Sequence, residues 1–333
     1  MAPPMTARAL VPQRTCFWLR SICVAIVALT ASAAPAEAQR AERFRDLPRL
    51  VSATAVVRHE DRIYRTAPEG GLSLHFSLPA DWKPADRRPT IVFFFGGGWR
   101  QGTYRQFVPQ ADYFASRGMV AACADYRIAS IHRTTPDKCV EDAKAAVRWL
   151  RENAAAWGID PDRIVAAGGS AGGHLAACTA LVPGFEPDDA PISSRPNALV
   201  LFNPALNIDE LARDKKTPAV LDAAVIEAIT PNRFVAAGGP PAVMFFGSDD
   251  PLLAGAEQYL AKAGPLGVRA DLWVAAGQPH SFFNREPWIQ VTARQADEFL
   301  RSLGYLAGEP TIQLPEAAPT LARKTATTAG AMP

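Results

Sequence analysis

The stretch that decides the fold reads Arg-Ile-Val-Ala-Ala-Gly-Gly-Ser-Ala-Gly, residues 163–172. Its first half, Arg163–Ala167, is a short apolar run of the kind that forms a buried strand, and Ala171–Val182 has the composition of a helix. The G-x-S-x-G pattern at 168–172 therefore lies between a strand and a helix, which is the setting of a nucleophile elbow. We predict that this tight turn holds the Ser170 hydroxyl at its tip as a nucleophile; the alternative is an inert serine in a glycine-rich turn.

Apolar runs of the same type recur along the chain and predict further buried strands. The run Ile91–Phe95 has no alternation of polar and apolar residues, as expected for a strand that helices cover on both faces. Before it, Leu72, Leu74, Phe76 and Leu78 alternate with serine and histidine, which is typical of a half-buried strand. The other predicted strands are Met119–Ala124, Ala198–Phe202, Ala242–Phe246 and Leu272–Val274.

Helices are predicted between these strands, and the clearest of them is Pro136–Trp157. Thr135 precedes it as a capping residue, Pro136 suits the first helical position, and Asp137 favours the positive end of the helix dipole. Gly158 stands where a helix often ends in a left-handed residue. The other predicted helices are Tyr104–Arg117, Ala171–Val182, Leu252–Ala263 and Ile289–Leu303.

The order of these elements predicts an α/β fold. Two starting strands are followed by alternating strands and helices, which favours a mostly parallel central sheet with helices on both faces. Two insertions rich in Pro, Gly and charged residues lie at Pro183–Pro196 and Asp209–Gly239, and the second contains a helical run, Thr217–Thr230. Because insertions after the carboxyl ends of strands overhang the site in such folds, we expect a small lid or cap.

The N-terminal residues have the features of a secretory signal peptide. A basic leader with three arginines precedes the apolar run Ile22–Ala34, and a small-x-small site ends at Ala38. The run is shorter than the roughly 20 residues that cross a bilayer, which favours cleavage over a retained membrane anchor. We expect residues 1–38 to be removed before Gln39 and the protein to be secreted or periplasmic.

Beyond the leader, the sequence predicts one catalytic domain at residues 39–306. The remaining residues, 307–333, are rich in Ala, Thr and Pro and are expected to form a disordered tail. The sequence contains no internal repeat that would divide the domain further.

Composition argues against several classes of function. The chain has 35 basic and 33 acidic side chains, a formal net charge of +2, and no basic run, so nucleic acid is not expected as a partner. Removal of the leader leaves three cysteines, Cys123, Cys139 and Cys178, whose spacing matches no zinc pattern. An oxidising compartment permits one disulfide among them, whereas their apolar surroundings favour small buried thiols.

Residues 96–98 are three consecutive glycines directly after the predicted strand Ile91–Phe95. Backbone N–H groups of such glycines approach a substrate closely and can stabilise the oxyanion of a tetrahedral intermediate. We expect the N–H groups of Gly97, Gly98 and Ala171 to form this oxyanion hole. A phosphate-binding loop is the alternative, but no Lys-Ser/Thr pair follows the glycines.

With these patterns, the chain resembles the α/β-hydrolase superfamily, and within it the hormone-sensitive-lipase-like carboxylesterases and the acetyl/feruloyl-type esterases. The resemblance covers roughly residues 70–303. These esterases usually have His before the three glycines, where this chain has Phe95. The backbone donors survive that change, whereas the hydrogen bonds that normally brace the loop do not. The matching segments are Gly96-Gly97-Gly98-Trp99, Asp125-Tyr126-Arg127, Asp142–Leu150, Asp160-Pro161, Gly169–Gly173 and Gly247–Asp250.

The resemblance also implies the acid and the base of a catalytic triad, because this fold has them in the order Ser, Asp or Glu, His. Among the five histidines only His280 follows the last predicted strand, in a loop similar to the family's His-Gly-Phe. The family's G-x-x-D spacing indicates Asp250 as the acid, with Asp249 as the alternative. His174, one helical turn beyond Ser170, is expected to be structural.

This constellation predicts a secreted serine hydrolase that cleaves carboxylic esters through an acyl-enzyme, and it implies no metal or organic cofactor. The expected substrate is a small-molecule or carbohydrate-linked ester, a prediction that depends on the resemblance and on export alone. Amide or peptide hydrolysis, including formamidase-like activity, and acyl transfer to an alcohol are alternatives that use the same triad. A non-catalytic binding protein is the alternative from another class, and the presence of all three triad residues disfavours it.

Overall fold

The strands of the protein form one mixed sheet in the order β1-β2-β4-β3-β5-β6-β7-β8-β9. These strands belong to a computed structural model that describes residues 49–51, 57–187, 191–209 and 222–325. The six strands from β4 to β8 in the sheet order pair in parallel, while β1, β2 and β9 are antiparallel to their neighbours. The bounds are β1 Val57–Ala67, β2 Gly70–Pro79, β3 Arg88–Phe94, β4 Val120–Ala124, β5 Ile159–Gly169, β6 Ala198–Phe202, β7 Ala242–Gly247, β8 Ala270–Ala275 and β9 Ala322–Lys324.

Helices connect the parallel strands and cover the sheet, which confirms the predicted α/β class. Single 3-10 turns at Tyr104–Phe107, Pro231–Arg233, Gly264–Leu266 and Phe282–Asn284 supplement them. The helices described are α1 Val108–Ser116, α2 Ala129–His132, α3 Pro136–Glu152, α4 Ala171–Leu181, α5 Ala223–Ala228, α6 Leu253–Ala263 and α7 Trp288–Ser302.

Side chains of each central strand alternate between two hydrophobic layers. In β3, Val92 and Phe94 belong to one layer, and Ile91 and Phe93 belong to the other. Helices α3, α4 and α6 contribute to the first layer, while α1 and α7 contribute to the second. Burial on both faces is the reason that the central strands read as continuous apolar runs in the sequence.

Helix α3 is shorter than its sequence pattern predicts. It ends at Glu152 rather than at Trp157, and the side-chain amide of Asn153 donates to the Trp149 carbonyl oxygen at 2.8 Å. An amide that bonds the last turn competes with continuation of the helix, which explains the earlier end. Gly158 has φ +61°, the left-handed conformation expected of it, but only after the intervening turn. Thr135 is the N-cap residue as predicted, although its side chain makes no capping hydrogen bond.

The sequence predicts a disordered tail at 307–333. The structure describes residues 307–325 of this segment, and they pack against the rest of the fold. Ala322–Lys324 forms β9 and pairs antiparallel with β8. Ile312 is buried in the second hydrophobic layer, and Arg294 donates to its carbonyl oxygen at 3.2 Å. A composition rich in Ala, Thr and Pro did not reveal these contacts, because they are made with β8, α7 and the second hydrophobic layer, which lie elsewhere in the chain.

Several predictions fall wholly or partly outside the described residues. The signal peptide at 1–38 and its cleavage site are not described, and the two insertions are described without residues 188–190 and 210–221. Helix α5 lies within the predicted helical run of the second insertion. Among the described helices, none combines the length and the apolar character needed to cross a bilayer.

Candidate active site

Ser170 lies in a sharp turn between the end of β5 and the start of α4. Its φ and ψ are +53° and −118°, a strained conformation that non-glycine residues adopt mainly at functional sites. A hydrogen bond to the end of β6 holds the turn in place, since the Ser170 N–H donates to the Phe202 carbonyl oxygen at 2.8 Å. A Cβ on Gly172 would stand 2.0 Å from the Phe94 carbonyl oxygen, so only glycine fits there. The predicted strand–turn–helix geometry is therefore present.

The structure brings Ser170, His280 and Asp250 together, although 110 residues separate the serine from the histidine. Nε2 of His280 is 2.9 Å from Oγ of Ser170, and Nδ1 of His280 is 2.8 Å from Oδ2 of Asp250. The carboxylate fixes the tautomer, because an ionised Asp250 accepts the Nδ1 proton and leaves Nε2 free to accept the hydroxyl proton. This is the hydrogen-bond chain that a serine nucleophile and its base require.

Burial and contacts distinguish the two adjacent aspartates. The Asp250 side chain is fully buried, and its Oδ1 also accepts the Leu252 N–H at 2.9 Å. Asp249 is exposed and accepts a hydrogen bond from the Ser248 hydroxyl at 2.9 Å. The geometry therefore favours Asp250, while Asp249 belongs to the turn after β7.

Asn203 is a site residue that the sequence analysis missed. It directly follows β6, is fully buried, and has φ +47°. Its side-chain amide donates to Oδ2 of Asp250, the same oxygen that accepts from His280. The sequence does contain a sign of this role, since Asn203 is a polar residue directly after the buried run Ala198–Phe202. Ligand-binding and catalytic groups collect at the carboxyl ends of parallel strands.

The glycine loop after β3 lies against the nucleophile. A Cβ on Gly96 would stand 3.3 Å from Cβ of Ser170, and Gly97 and Gly98 have φ of +128° and +63°. Within the described part of the chain, the N–H groups of Gly97, Gly98 and Ala171 donate to no other group. Unpaired backbone donors beside a nucleophile have the character of an oxyanion hole.

Phe95, which replaces the expected histidine, is accommodated by aromatic packing. Its ring is stacked on Tyr126 with centroids 4.1 Å apart, and the Tyr126 hydroxyl donates to the Phe95 carbonyl oxygen at 2.7 Å. The next N–H along the chain, that of Gly96, donates to Oε1 of Gln106 at 2.6 Å. Hydrogen bonds from Tyr126 and to Gln106 therefore hold the loop in the absence of the histidine.

His174 has a structural position, as its place in the sequence predicts. It is fully buried, and its Nε2–H donates to the Ile229 carbonyl oxygen at 2.7 Å. Its Nδ1 accepts the indole N–H of Trp99 at 3.3 Å, so the ring links the glycine loop to the residue after α5. Burial lowers the pKa of His174 to about 4, which keeps it neutral at ordinary pH.

The remaining histidines and the cysteines lie outside this constellation. Cys123, Cys139 and Cys178 are buried and make no disulfide, in agreement with the interpretation as small buried thiols. Burial raises the pKa of each thiol, so all three are poor nucleophiles. His59 contacts Asp112, His75 lies between Asp61 and Asp125, and His132 accepts the Ile128 N–H.

Comparison with known proteins gives a consistent result. Residues 75–261 match the family model BD-FAE. The chain is 31% identical to the esterase LipI of Mycobacterium tuberculosis over 272 residues, which cover 74% of this chain and 78% of LipI. It spans less than two thirds of other curated relatives, including 62% of the esterase LipQ, at 26% identity, and 31% of the carboxylesterase NlhH, at 39% identity, from the same organism.

Solved structures show the similarity over three quarters of the chain. A propionate-bound esterase 2 of the planctomycete Thermogutta terrifontis superposes with a TM-score of 0.70 at 43% identity, and the alignment covers 75% of this chain and 96% of the esterase. The same enzyme phosphorylated by paraoxon superposes with a TM-score of 0.70 at 44% identity, again with 75% and 96% of the two chains covered. Similarity at this level is consistent with the sheet order and the nucleophile turn described above.

Proposed function

The chain belongs to the BD-FAE family of α/β-hydrolase-fold proteins, and from that premise we propose that it is a serine carboxylesterase. Ser170 is the nucleophile, His280 is the base, and Asp250 orients the base. The observation that carries the proposal is the continuous hydrogen-bond chain from Asp250 through His280 to Ser170, with distances of 2.8 Å and 2.9 Å. The curated esterases and the esterase structures to which the chain is similar support the reaction class.

The mechanism follows from which atom holds each proton. His280 Nε2 takes the proton of the Ser170 hydroxyl as Oγ forms a bond to the acyl carbon, and Asp250 stabilises the imidazolium that results. The carbonyl oxygen becomes an oxyanion, which the N–H groups of Gly97, Gly98 and Ala171 stabilise.

Collapse of this intermediate breaks the ester C–O bond, and His280 donates its proton to the departing alcohol oxygen. Ser170 then carries the acyl group. Water, deprotonated by the same imidazole, attacks the acyl carbon; the Ser170 Oγ–acyl bond then breaks, His280 returns the proton to Oγ, and the carboxylic acid is released.

We further propose that the acyl groups are short and that the alcohol is a small molecule or a carbohydrate. Two structures of Thermogutta terrifontis esterase 2, at 43% and 42% identity, are bound to propionate and to butyrate, which supports a short acyl pocket. An amide substrate is the second candidate, because the same triad acts on amides.

Hydrolysis of p-nitrophenyl esters, from acetate to long acyl chains, tests the proposal with Ser170→Ala as the control. We expect an optimum at acetate to butyrate, and no turnover by the variant above the uncatalysed rate. Equal activity of the folded variant, or no ester hydrolysis by the folded wild type, would refute the proposal. Cleavage of p-nitroanilides without cleavage of esters would favour the amide candidate.

Export is a separate proposal, supported by the basic leader, the apolar run Ile22–Ala34 and the small-x-small site that ends at Ala38. The mature protein would begin at Gln39, and its catalytic domain would extend past the expected boundary at residue 306 to include β9. Mass spectrometry of the protein recovered from the periplasm or the medium tests this proposal. A cytoplasmic product that retains residues 1–38 would contradict it.

A further inference from the structure

Gln106, in the 3-10 turn before α1, contacts two loops of the proposed active site at once. We infer that Gln106 is a positioning residue that holds the glycine loop and the histidine loop in a fixed relation to each other. The inference depends on the proposed function, because it assigns a role in the stabilisation of the oxyanion. Gln106 is 8% exposed, so its hydrogen bonds are shielded from competition with solvent.

The first contact fixes the peptide unit that begins the glycine loop. Oε1 of Gln106 accepts the Gly96 N–H at 2.6 Å, while the Tyr126 hydroxyl donates to the Phe95 carbonyl oxygen at 2.7 Å. The N–H and the C=O of the single peptide bond between Phe95 and Gly96 are therefore both held by side chains. Because a peptide unit is planar, these two contacts fix the point and the direction from which the chain continues to the N–H groups of Gly97 and Gly98.

The second contact reaches the loop that carries the base. Because Oε1 of Gln106 faces the Gly96 N–H, Nε2 of the same amide faces away from Gly96. Nε2–H donates to Oδ1 of Asn284 at 3.1 Å. Both Nδ2–H and the backbone N–H of Asn284 donate in turn to the Ser281 carbonyl oxygen at 3.2 Å. Ser281 directly follows His280 and has φ +67°, so its peptide groups need such a contact to stay in place.

One side chain thus joins the proposed oxyanion donors to the proposed base. Removal of the Gln106 amide leaves the buried Gly96 N–H without an acceptor and separates the two loops. Because the oxyanion exists only in the transition state and the intermediate, misplaced donors reduce kcat rather than the affinity for the ester. A residue that merely supports the fold would instead change the stability and leave the kinetic constants of the folded protein unchanged.

Gln110 is a matched control on helix α1. It is a fully buried glutamine, and neither its Oε1 nor its Nε2 has a hydrogen-bond partner among the described residues. Gln106→Leu and Gln110→Leu therefore make the same chemical change at two buried positions. Only Gln106 contacts the glycine loop. We expect Gln110→Leu to retain wild-type kcat and KM.

The test measures kcat and KM for p-nitrophenyl butyrate, and the rate of phosphorylation by paraoxon, in the full chain and its variants. For Gln106→Leu we expect a loss of about 10- to 100-fold in kcat, a similar loss in the phosphorylation rate, and KM within a factor of about 3. Gln106→Glu keeps an acceptor for the Gly96 N–H, so it should recover part of the loss.

Asn284→Leu keeps the contact at Gly96 and breaks the link to the histidine loop. If the two side chains act as one connection, the loss of kcat in Gln106→Leu combined with Asn284→Leu is smaller than the product of the two single losses. Should Gln106→Leu fail to fold, Asn284→Leu tests the link to the histidine loop by itself, with thermal melts to confirm folding.

Two results would overturn the inference. One is a folded Gln106→Leu, or a folded Asn284→Leu where the first variant does not fold, with kcat and phosphorylation within a factor of about 2 of wild type. The other is an equal loss in Gln110→Leu, which would indicate a general packing effect. Failure of the proposed function is a distinct outcome, because the wild type itself would then neither hydrolyse esters nor react with paraoxon.

Discussion

The side-chain amide of Asn203 donates to the same Asp250 oxygen that accepts the Nδ1 proton of His280. Asp250 is therefore oriented from two sides, with its second oxygen held by the Leu252 N–H at 2.9 Å. A buried carboxylate with all of these donors is fixed in position before the substrate arrives, which is the condition for a well-oriented base.

The contact between Asn203 and Asp250 predicts a measurable effect on turnover. Asn203→Gly removes the amide while tolerating φ +47°, the backbone conformation at this position. We expect kcat to fall about 10-fold, the effect of one hydrogen bond to a charged group, with little change in KM. Steady-state kinetics with p-nitrophenyl butyrate measure the effect, and a kcat equal to that of wild type would show that Asn203 does not support the acid.

The two adjacent aspartates are expected to respond very differently to the same substitution. Asp250→Asn leaves His280 in the wrong tautomer and should reduce kcat about 1,000- to 10,000-fold. Asp249→Asn changes an exposed turn and should stay within a factor of about 2 of wild type. The reverse pattern, with Asp249 as the sensitive residue, would contradict the assignment of Asp250.

The burial of His174 predicts that the free energy of unfolding depends on pH. Burial lowers its pKa in the folded protein to about 4, below the ordinary 6.5 of an exposed histidine. Between these values the unfolded chain binds the proton and the folded chain does not, so the free energy of unfolding decreases as the pH falls from 6.5 towards 4. The contribution of this residue is roughly 3 kcal/mol over that window.

His174→Gln isolates that contribution, because glutamine does not titrate. Guanidinium unfolding at pH 7.0, 5.5 and 4.5 should show a flatter pH profile for the variant than for wild type. Profiles of equal slope would mean that His174 does not titrate differently in the folded and unfolded states.

The C-terminal segment is expected to contribute to stability although its composition predicts disorder. Ile312 is 2% exposed in the second hydrophobic layer, so Ile312→Ala removes buried apolar volume. We expect a loss of about 2 kcal/mol in the free energy of unfolding, and a lower melting temperature. Leu266→Ala, at a position 40% exposed, serves as the control and should change stability by less than about 0.5 kcal/mol. Equal stabilities of wild type and Ile312→Ala would indicate that the segment is not packed as described.

The parts of the fold and site that follow local patterns could be predicted from the sequence. Buried strands are continuous apolar runs, and the elbow of Ser170 is a contiguous strand–turn–helix, so both are visible within a dozen residues. His280 and Asp250 came from the resemblance, which supplied the order of the triad. The structure places His280 within hydrogen-bond distance of both Ser170 and Asp250.

The supporting contacts could not be predicted, because they join segments far apart in the chain. Gln106 and Asn284 are separated by 178 residues, and Asn203 and Asp250 by 47. Nothing in the composition near Ile312 indicates burial, which depends on the hydrophobic layer formed by distant segments of the chain. A local pattern thus identifies the nucleophile and the resemblance identifies its base and acid, whereas only the tertiary structure identifies the supporting residues.

The most direct test of the central claim, that Ser170 is the nucleophile, is to locate the site of covalent attack. The full chain is treated with paraoxon, digested, and analysed by mass spectrometry while esterase activity is followed. We predict a single diethylphosphoryl adduct on Ser170, loss of activity in proportion to labelling, and no adduct on that peptide in Ser170→Ala. An adduct on another residue that accounts for the loss of activity, or activity retained by Ser170→Ala, would contradict the account.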